Sequence, residues 1–361
     1  MRCLASIARI KARKCSGLSR LAAASERRLQ HVWTGGEVHS VKQYFFGIDI
    51  GGTSIKSGLF TAEGGLLDRD RAATRKEENG RFVLSDTADM MRRQLRRNEL
   101  SMDDVAGAGI CVPGPVQQAA VVNGCVNIGW GKVDVCRSLG ELTGLKRICC
   151  ANDANAAALG EVHQGAGKAY DSIMMITLGT GIGGGVIYDG RPMEGAAGAA
   201  GEIGHMYILP PSSALCQDTK PHWLEHYAAA AGIVHRAETA MQSASYCTSV
   251  LHVLKRAGAL TPKDVFDAAQ AGDEAALAVA EFTGDVLGRA LASCAGVLDP
   301  EAFIIGGGIA AAGDVLLDPI RRAYRRYAFH PSADTPILPA VLGNDAGMVG
   351  CAGLIRQMMM V

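Results

Sequence analysis

Thr177-Leu178-Gly179-Thr180-Gly181-Ile182-Gly183-Gly184-Gly185 decides the fold, because its arrangement also occurs earlier in the chain as Asp49-Ile50-Gly51-Gly52-Thr53-Ser54-Ile55. Each is an apolar run, a glycine turn and a returning apolar run. In the first copy Phe45 to Ile50 reads as a buried strand, Gly51 to Thr53 as a tight turn and Ile55 to Phe60 as the strand that follows. Two related β-hairpins predict two similar α/β halves facing each other across a cleft, where ligands usually bind. Glycine turns let backbone N–H groups approach phosphate oxygens. Thr53 adds a hydroxyl donor, Lys56 adds positive charge, and Asp49 is placed to hold the water shell of a bound metal. A two-glycine hairpin is also commonly just a turn. Neither copy ends in the G-K-S/T of a P-loop, which disfavours that fold.

Outward from these hairpins, Arg81 to Glu99 predicts an amphipathic helix and Val105 to Val112 a strand running into Pro113-Gly114-Pro115. Asn123 to Trp130 reads as an amide- and glycine-rich loop, in which Asn127 either bonds a ligand hydroxyl or caps its own turn. Leu145 to Ala151 predicts a strand and Ala154 to Gln164 a helix. A helix is expected from about Trp223 through Arg236, another behind Thr261-Pro262-Lys263-Asp264, and a long one over Asp273 to Leu298. Ala302 to Gly308 is a strand entering a glycine turn, suited to a nucleotide base and ribose lying against backbone. Gly343 to Gly347 caps the last helix.

Transfer of a phosphoryl group to an alcohol requires neutralised phosphates, a carboxylate beside the attacking hydroxyl, and exclusion of water. Asp153 is the candidate base, the alternative being an N-cap for the helix that begins at Ala154. Glu202 and Glu225 are candidates to accept hydrogen bonds from sugar hydroxyls, although single carboxylates are more often solvated surface groups. Glycines bracket Glu202, with His205 close behind, and Glu225 lies within the otherwise apolar Trp223-Leu224-Glu225-His226-Tyr227.

The chain has 361 residues, 48% of them hydrophobic, and a formal net charge of zero, so its overall charge supports neither a nucleic-acid nor a membrane partner. No apolar run reaches the roughly 18 residues needed to span a bilayer. Eleven scattered cysteines without a C-x-x-C pair read as reduced thiols, in keeping with a cytoplasmic protein. Residues 1–43 differ in composition. Eight Lys and Arg stand before residue 30 against the single acid Glu26, as in an organelle transit peptide, or else translation starts at Val41; in either case the tail is expected to lack stable structure.

Taken together and in order, Gly47 to Thr53, Val112 to Pro115, Asn152 to Ala157, Leu178 to Gly185, Gly201-Glu202-Ile203-Gly204-His205, Leu224 to Ala228 and Ile305 to Gly308 resemble the ROK (repressor, open reading frame, kinase) family, particularly its bacterial glucokinases. The resemblance runs from about Tyr44 to the C-terminus. It implies an α/β, actin-like ATPase fold of duplicated ribonuclease-H-like domains, here residues 44–151 and 152–361, with ATP and Mg²⁺ in the interdomain cleft. It further implies phosphorylation of the glucose 6-hydroxyl and a homodimer. Residue by residue, it makes Asp153 the general base and Asn127, Asn152, Glu202, His205 and Glu225 the sugar contacts. Asp49, Gly51, Gly52, Thr53, Gly179 and Thr180 then match the phosphate-binding turns and Gly306, Gly307 and Gly308 the adenosine side, and Lys56 and Gly181 join the phosphate side by their place in the two hairpins. One departure concerns zinc. The family usually holds Zn²⁺ with the histidine of G-E-x-G-H and three cysteines, but here only His205 and Cys216 remain, Asp218 and Trp223 standing at the other cysteine positions. A substituted set of His205, Cys216, Asp218 and His222 has the right ligand types for tetrahedral zinc; the alternative is a metal-free loop held by Trp223 and Pro210-Pro211. Within the family, another hexose or an N-acetylhexosamine as substrate, polyphosphate as donor, or a sugar-responsive repressor role are the competing expectations.

Overall fold

The computed structural model describes residues 44–208 and 222–360. The basic N-terminal extension and Pro210, Pro211, Cys216 and Asp218 lie outside the described residues.

The apolar run at the start forms β1 (Tyr44–Ile50), whose Phe46, Ile48 and Ile50 are fully buried, as befits a strand covered on both faces. The chain turns at Gly51–Thr53 into antiparallel β2 (Ser54–Thr61), placing Asp49 opposite Lys56, and β3 (Leu66–Ala73) adds a polar edge. Helix α1 (Val83–Arg97) follows, then β4 (Val105–Val112), parallel to β1 and buried throughout. An insertion, β5 (Val116–Gln117), β6 (Val121–Cys125) and β7 (Trp130–Asp134), makes a small antiparallel sheet. Helix α2 (Val135–Thr143) starts on the Asp134 side chain, which accepts the Arg137 N–H, and ends at a left-handed Gly144. Strand β8 (Ile148–Asn152) completes a five-stranded sheet ordered β3-β2-β1-β4-β8.

After α3 (Asp153–Gln164) come β9 (Ile173–Leu178), β10 (Ile182–Tyr188) and β11 (Arg191–Pro192). Helices α4 (Ala230–Ala240), α5 (Leu251–Ala257), α6 (Pro262–Gln270) and α7 (Glu274–Leu298) lead to β12 (Ala302–Gly306). Helix α8 (Asp314–Tyr327), β13 (Ile337–Pro339) and α9 (Ala346–Met360) complete the chain's described elements. The second sheet is ordered β11-β10-β9-β12-β13. Its pairing senses match the first sheet strand for strand: two antiparallel junctions, then two parallel ones. The duplication expected from the two glycine hairpins is therefore a duplication of whole sheets.

Two helices join the sheets by exchange. Helix α3 leaves β8 of the first sheet and packs on β9 and β10 of the second, whereas α9 leaves the second half and packs on β1 and β4 of the first. The exchange needs close backbone approach. A Cβ at Gly109 would overlap the Cys351 carbonyl, and one at Gly350 would overlap that of Ala156.

Four local expectations are corrected. The Asn123–Trp130 loop is mostly the β6–β7 hairpin, leaving a short connection with Asn127 at its tip. The strand expected from Leu145 begins at Ile148. The helix expected over Trp223–Arg236 is a single turn, Glu225–Ala228, followed by extended Ala229 and then α4. That break frees the Ala230 N–H to donate to the Gly179 carbonyl at 3.0 Å, a tertiary bond that outcompetes helix continuity. Finally, Asn152 and not Asp153 caps α3, its Oδ1 accepting from the N–H groups of Ala154 and Asn155.

Candidate active site

The parallel strands of both sheets deliver their carboxyl ends to the residues singled out in the sequence, the usual ligand-binding edge of such sheets. In the first sheet Asp49 pairs with Cys111 in register, and Val112 with Asn152, so Asp49, Pro113-Gly114 and Asn152-Asp153 share one edge. The Asn152 Nδ2 donates to the Gly114 carbonyl at 3.2 Å, so both polar ends of that side chain already serve the scaffold. In the second sheet Gly306 pairs with Thr177, which sets Gly306–Gly308 beside Gly179–Gly181. A Cβ at Gly307 would overlap the Leu178 carbonyl, whereas Gly308 faces open space.

Burial pushes the Asp153 carboxyl up to about 6, with the negative charges of Asp49 and Glu202 adding to the effect and the Ala154 N–H opposing it. The shift identifies Asp49, Asp153 and Glu202 as one electrostatic neighbourhood. His205 Nδ1 lies 3.7 Å from Glu202 Oε2, and its ring packs edge-on against Trp223. On the far side of the glycine turn, a Cβ at Gly181 would lie 3.1 Å from Glu225 Oε2. Glu202, His205 and Glu225 thus belong to the second half of the chain, together with Thr180 and its flanking glycines.

The first turn is braced differently. Gly51 N–H donates to the Ser54 carbonyl, the Thr74 hydroxyl donates to the Gly51 carbonyl at 2.6 Å, and the Thr74 N–H donates to the Thr53 carbonyl. A Cβ at Gly52 would lie 3.2 Å from the Asn127 Cβ and 3.7 Å from Lys76 Nζ, bringing the phosphate turn and the Asn127 loop into contact. Lys56, singled out as a phosphate cation, donates to Asp49 Oδ2 at 3.0 Å and to the Asn344 carbonyl at 2.9 Å, so its charge is matched inside the protein. Cys111 donates a weak hydrogen bond to Asp49 Oδ1.

Asp49 is the carboxylate nearest the phosphate turn and is a fitting anchor for a hydrated Mg²⁺, which typically uses one or two carboxylates plus substrate phosphates. The zinc set is not assembled among the described residues: no group of three or more metal-ligating side chains occurs there, and His222 Nδ1 is hydrogen-bonded to the Tyr227 hydroxyl. The remaining two ligands of the substituted set, Cys216 and Asp218, lie outside the described residues. The described cysteines are free, and burial holds the thiols of Cys149 and Cys150 well above their ordinary range, in keeping with packed, unreactive groups.

Three contributors were not singled out from sequence as part of the site. Thr74 ties the first turn from β3's far end. Buried Glu161 on α3 accepts from the N–H groups of Ala166, Val341 and Leu342, fixing the approach to α9. Gly347, at the start of α9, lets that helix come within 3.3 Å of the Asp49 carboxylate carbon, measured to a Cβ it lacks. Only the glycine had a sequence signal, in its position at the head of the last helix.

The pattern of the ROK family matches residues 45–358. A glucokinase of Halalkalibacterium halodurans is 38% identical over 317 residues, covering 87% of this chain and 96% of its own. Among solved structures, a ROK hexokinase from Thermus thermophilus superposes with a TM-score of 0.72 at 32% identity, covering 88% of this chain and 99% of that one. A ROK family glucokinase from Streptomyces griseus, in complex with glucose and AMPPNP, gives 0.67 at 32% identity, covering 87% and 99%. With a duplicated sheet, paired glycine turns and a family match over most of its length, the chain belongs to the ROK family.

Proposed function

We propose that the protein phosphorylates glucose at its 6-hydroxyl with Mg-ATP as donor. The observation that carries this reading is Asp153: a carboxylate at the β8–α3 junction, pushed up to about 6, in a site with two glycine turns. A base with an affinity near the working pH combines the ionised form with useful basicity. Asp153 takes the proton of the attacking hydroxyl. Glu202, Glu225, His205, Asn127 and Asn152 bind and orient the sugar, and Asn152 also supports Asp153 through the cap and its bond to Gly114. The turns Gly51-Gly52-Thr53 and Gly179-Thr180-Gly181 receive the phosphates through backbone N–H groups, and Gly306–Gly308 takes the adenosine side. Asp49 would hold Mg²⁺, which would supply positive charge to offset that of the phosphates. Residues 44–151 and 152–361 act as two lobes that exclude water when sugar is bound. The enzyme works in the cytoplasm as a homodimer.

The test is a coupled assay of ADP release with Mg-ATP and a panel of glucose, mannose, fructose, N-acetylglucosamine and N-acetylmannosamine. Turnover confined to glucose is the expected result. Preference for an acetylated sugar would move the substrate within the family, and absence of turnover with every sugar would overturn the kinase reading.

A further inference from the structure

We propose that Lys76, on a strap between the two substrate subsites, is the cation that neutralises the transferred phosphoryl group; the inference rests on the kinase reading above. The strap is Thr74 to Gly80. At one end Thr74 is bonded twice to the phosphate turn, through the carbonyls of Gly51 and Thr53. At the other end the Trp130 indole N–H donates to the Gly80 carbonyl at 3.0 Å, and a Cβ at Gly80 would lie 2.7 Å from Ile128, beside Asn127. Lys76 Nζ therefore hangs where the phosphate turn meets the Asn127 loop, 3.7 Å from the missing Cβ of Gly52.

The charges around it single it out. Lys56 is committed to Asp49 and the Asn344 carbonyl. Arg75 is ion-paired to Asp86 and stacks over Phe82 at 4.4 Å. The Lys76 carbonyl accepts the Gly80 N–H, but its ammonium has no hydrogen-bond or ion-pair partner among the described residues. Arg71 lines a separate cavity of about 450 Å³ with Thr53, Lys56 and Asn344, which Gly52, Asn127 and Lys76 do not border. The backbone of the strap is also strained: Glu78, Asn79 and Gly80 are consecutive left-handed residues, at φ of 51°, 57° and 67°. Two non-glycine residues held in that region persist only where the surroundings over-determine them, as they do at ligand clamps. Here the strain follows from anchoring a short segment at both ends, which aims the lysine between them.

A lysine contributes a compact, mobile charge to a phosphate and makes hydrogen bonds to charged oxygens. Lys76→Met should lower kcat/KM for Mg-ATP by about 10- to 100-fold, the range for losing such a bond. Lys76→Arg should recover most of it, and glucose-dependent thermal stabilisation should be unchanged. Alongside turnover, the affinities for AMPPNP and for AMP are measured by calorimetry. The expected result is weakened AMPPNP binding with AMP binding intact. Unaltered AMPPNP binding in Lys76→Met, or a loss that appears in Arg71→Met instead, overturns the proposal. Because this readout needs no sugar, failure of the glucokinase reading would show in the wild-type sugar panel, and failure of the Lys76 proposal in the nucleotide affinities.

Discussion

The two glycine turns have the same backbone setting and opposite company. Gly51–Thr53 joins two antiparallel strands at the head of the first sheet, and Gly179–Gly181 does so at the head of the second. Around the first turn stand Lys56, Lys76 and the bracing Thr74. Beside the second stand the carboxylate of Glu225 and the N-terminus of α4, whose Ala230 N–H is bonded to Gly179. Repeating a sheet thus repeats the place where a phosphate can be received, while the side chains added to each copy divide the labour. In the proposed reaction the first copy supplies Lys76 and the Asp49 anchor for the metal, and the second holds the sugar beside carboxylates.

The strongest way to break this division is Asp153→Asn at the junction of the two halves. It should lower kcat by about 10² to 10⁴ with glucose binding largely intact, checked by steady-state kinetics and calorimetry. Near-wild-type turnover would remove Asp153 from the role of base. Next in size, Glu225→Gln should raise KM for glucose by about 10- to 100-fold while leaving KM for ATP nearly unchanged, since a bond to a charged acceptor is lost on the sugar side. An equal rise for ATP would mean that the second turn is not specialised. A smaller effect concerns pH. Because Asp153 must be ionised, kcat/KM should fall about tenfold per pH unit below a midpoint near 6. Asp49→Asn, which removes a neighbouring negative charge, should move that midpoint to lower pH whatever it does to the plateau.

The smallest effect is on stability and has the opposite sign. A carboxyl raised from 3.8 to about 6 in the folded protein binds its proton more tightly than in the unfolded chain. Its favourable contribution is complete below pH 3.8 and is lost as pH rises through 6. At pH 8, Asp153→Asn should therefore stabilise the fold by about 1–3 kcal/mol, a few degrees in melting temperature, and the gain should vanish near pH 3.8. A site that costs stability in order to keep a buried base is the signature expected of function.

Much of this was legible in the sequence, because periodicity and glycine punctuation report on local structure. Strand Val105–Val112 was readable to the residue, as was the N-cap at Thr261, which the structure extends to a capping box with Asp264. The repeated hairpin pointed to the duplicated sheet. What escaped was whatever depended on a distant partner. Strand β3 alternates Asp and Arg at a solvent edge and has no apolar run to reveal it. The break at Ala229 exists because Ala230 finds the Gly179 carbonyl, some fifty residues earlier in the chain. Neighbouring Asn152 and Asp153 both suit a cap; Asn152 takes that position, bonding the N–H groups of Ala154 and Asn155, while Asp153 shares the Ala154 N–H and lies among its fellow carboxylates. Lys76 carries no motif, and its place follows only from a strap tied at both ends by Thr74 and Gly80.

The exchanged helices have a consequence for how the protein is made. The strands of the first sheet are complete once Asn152 has left the ribosome, yet α9, which packs on β1 and β4, begins only at Ala346. Until then the face bearing Gly47, Gly58 and Gly109, left bare of side chains to admit a helix, lacks the helix that packs on it in the folded protein. Folding one half at a time during synthesis, the habit of chains built from independent domains, would leave that face without its helix. Some two hundred residues separate the last strand of the first sheet from the helix that fills its face, so the first lobe is finished by a segment of the second.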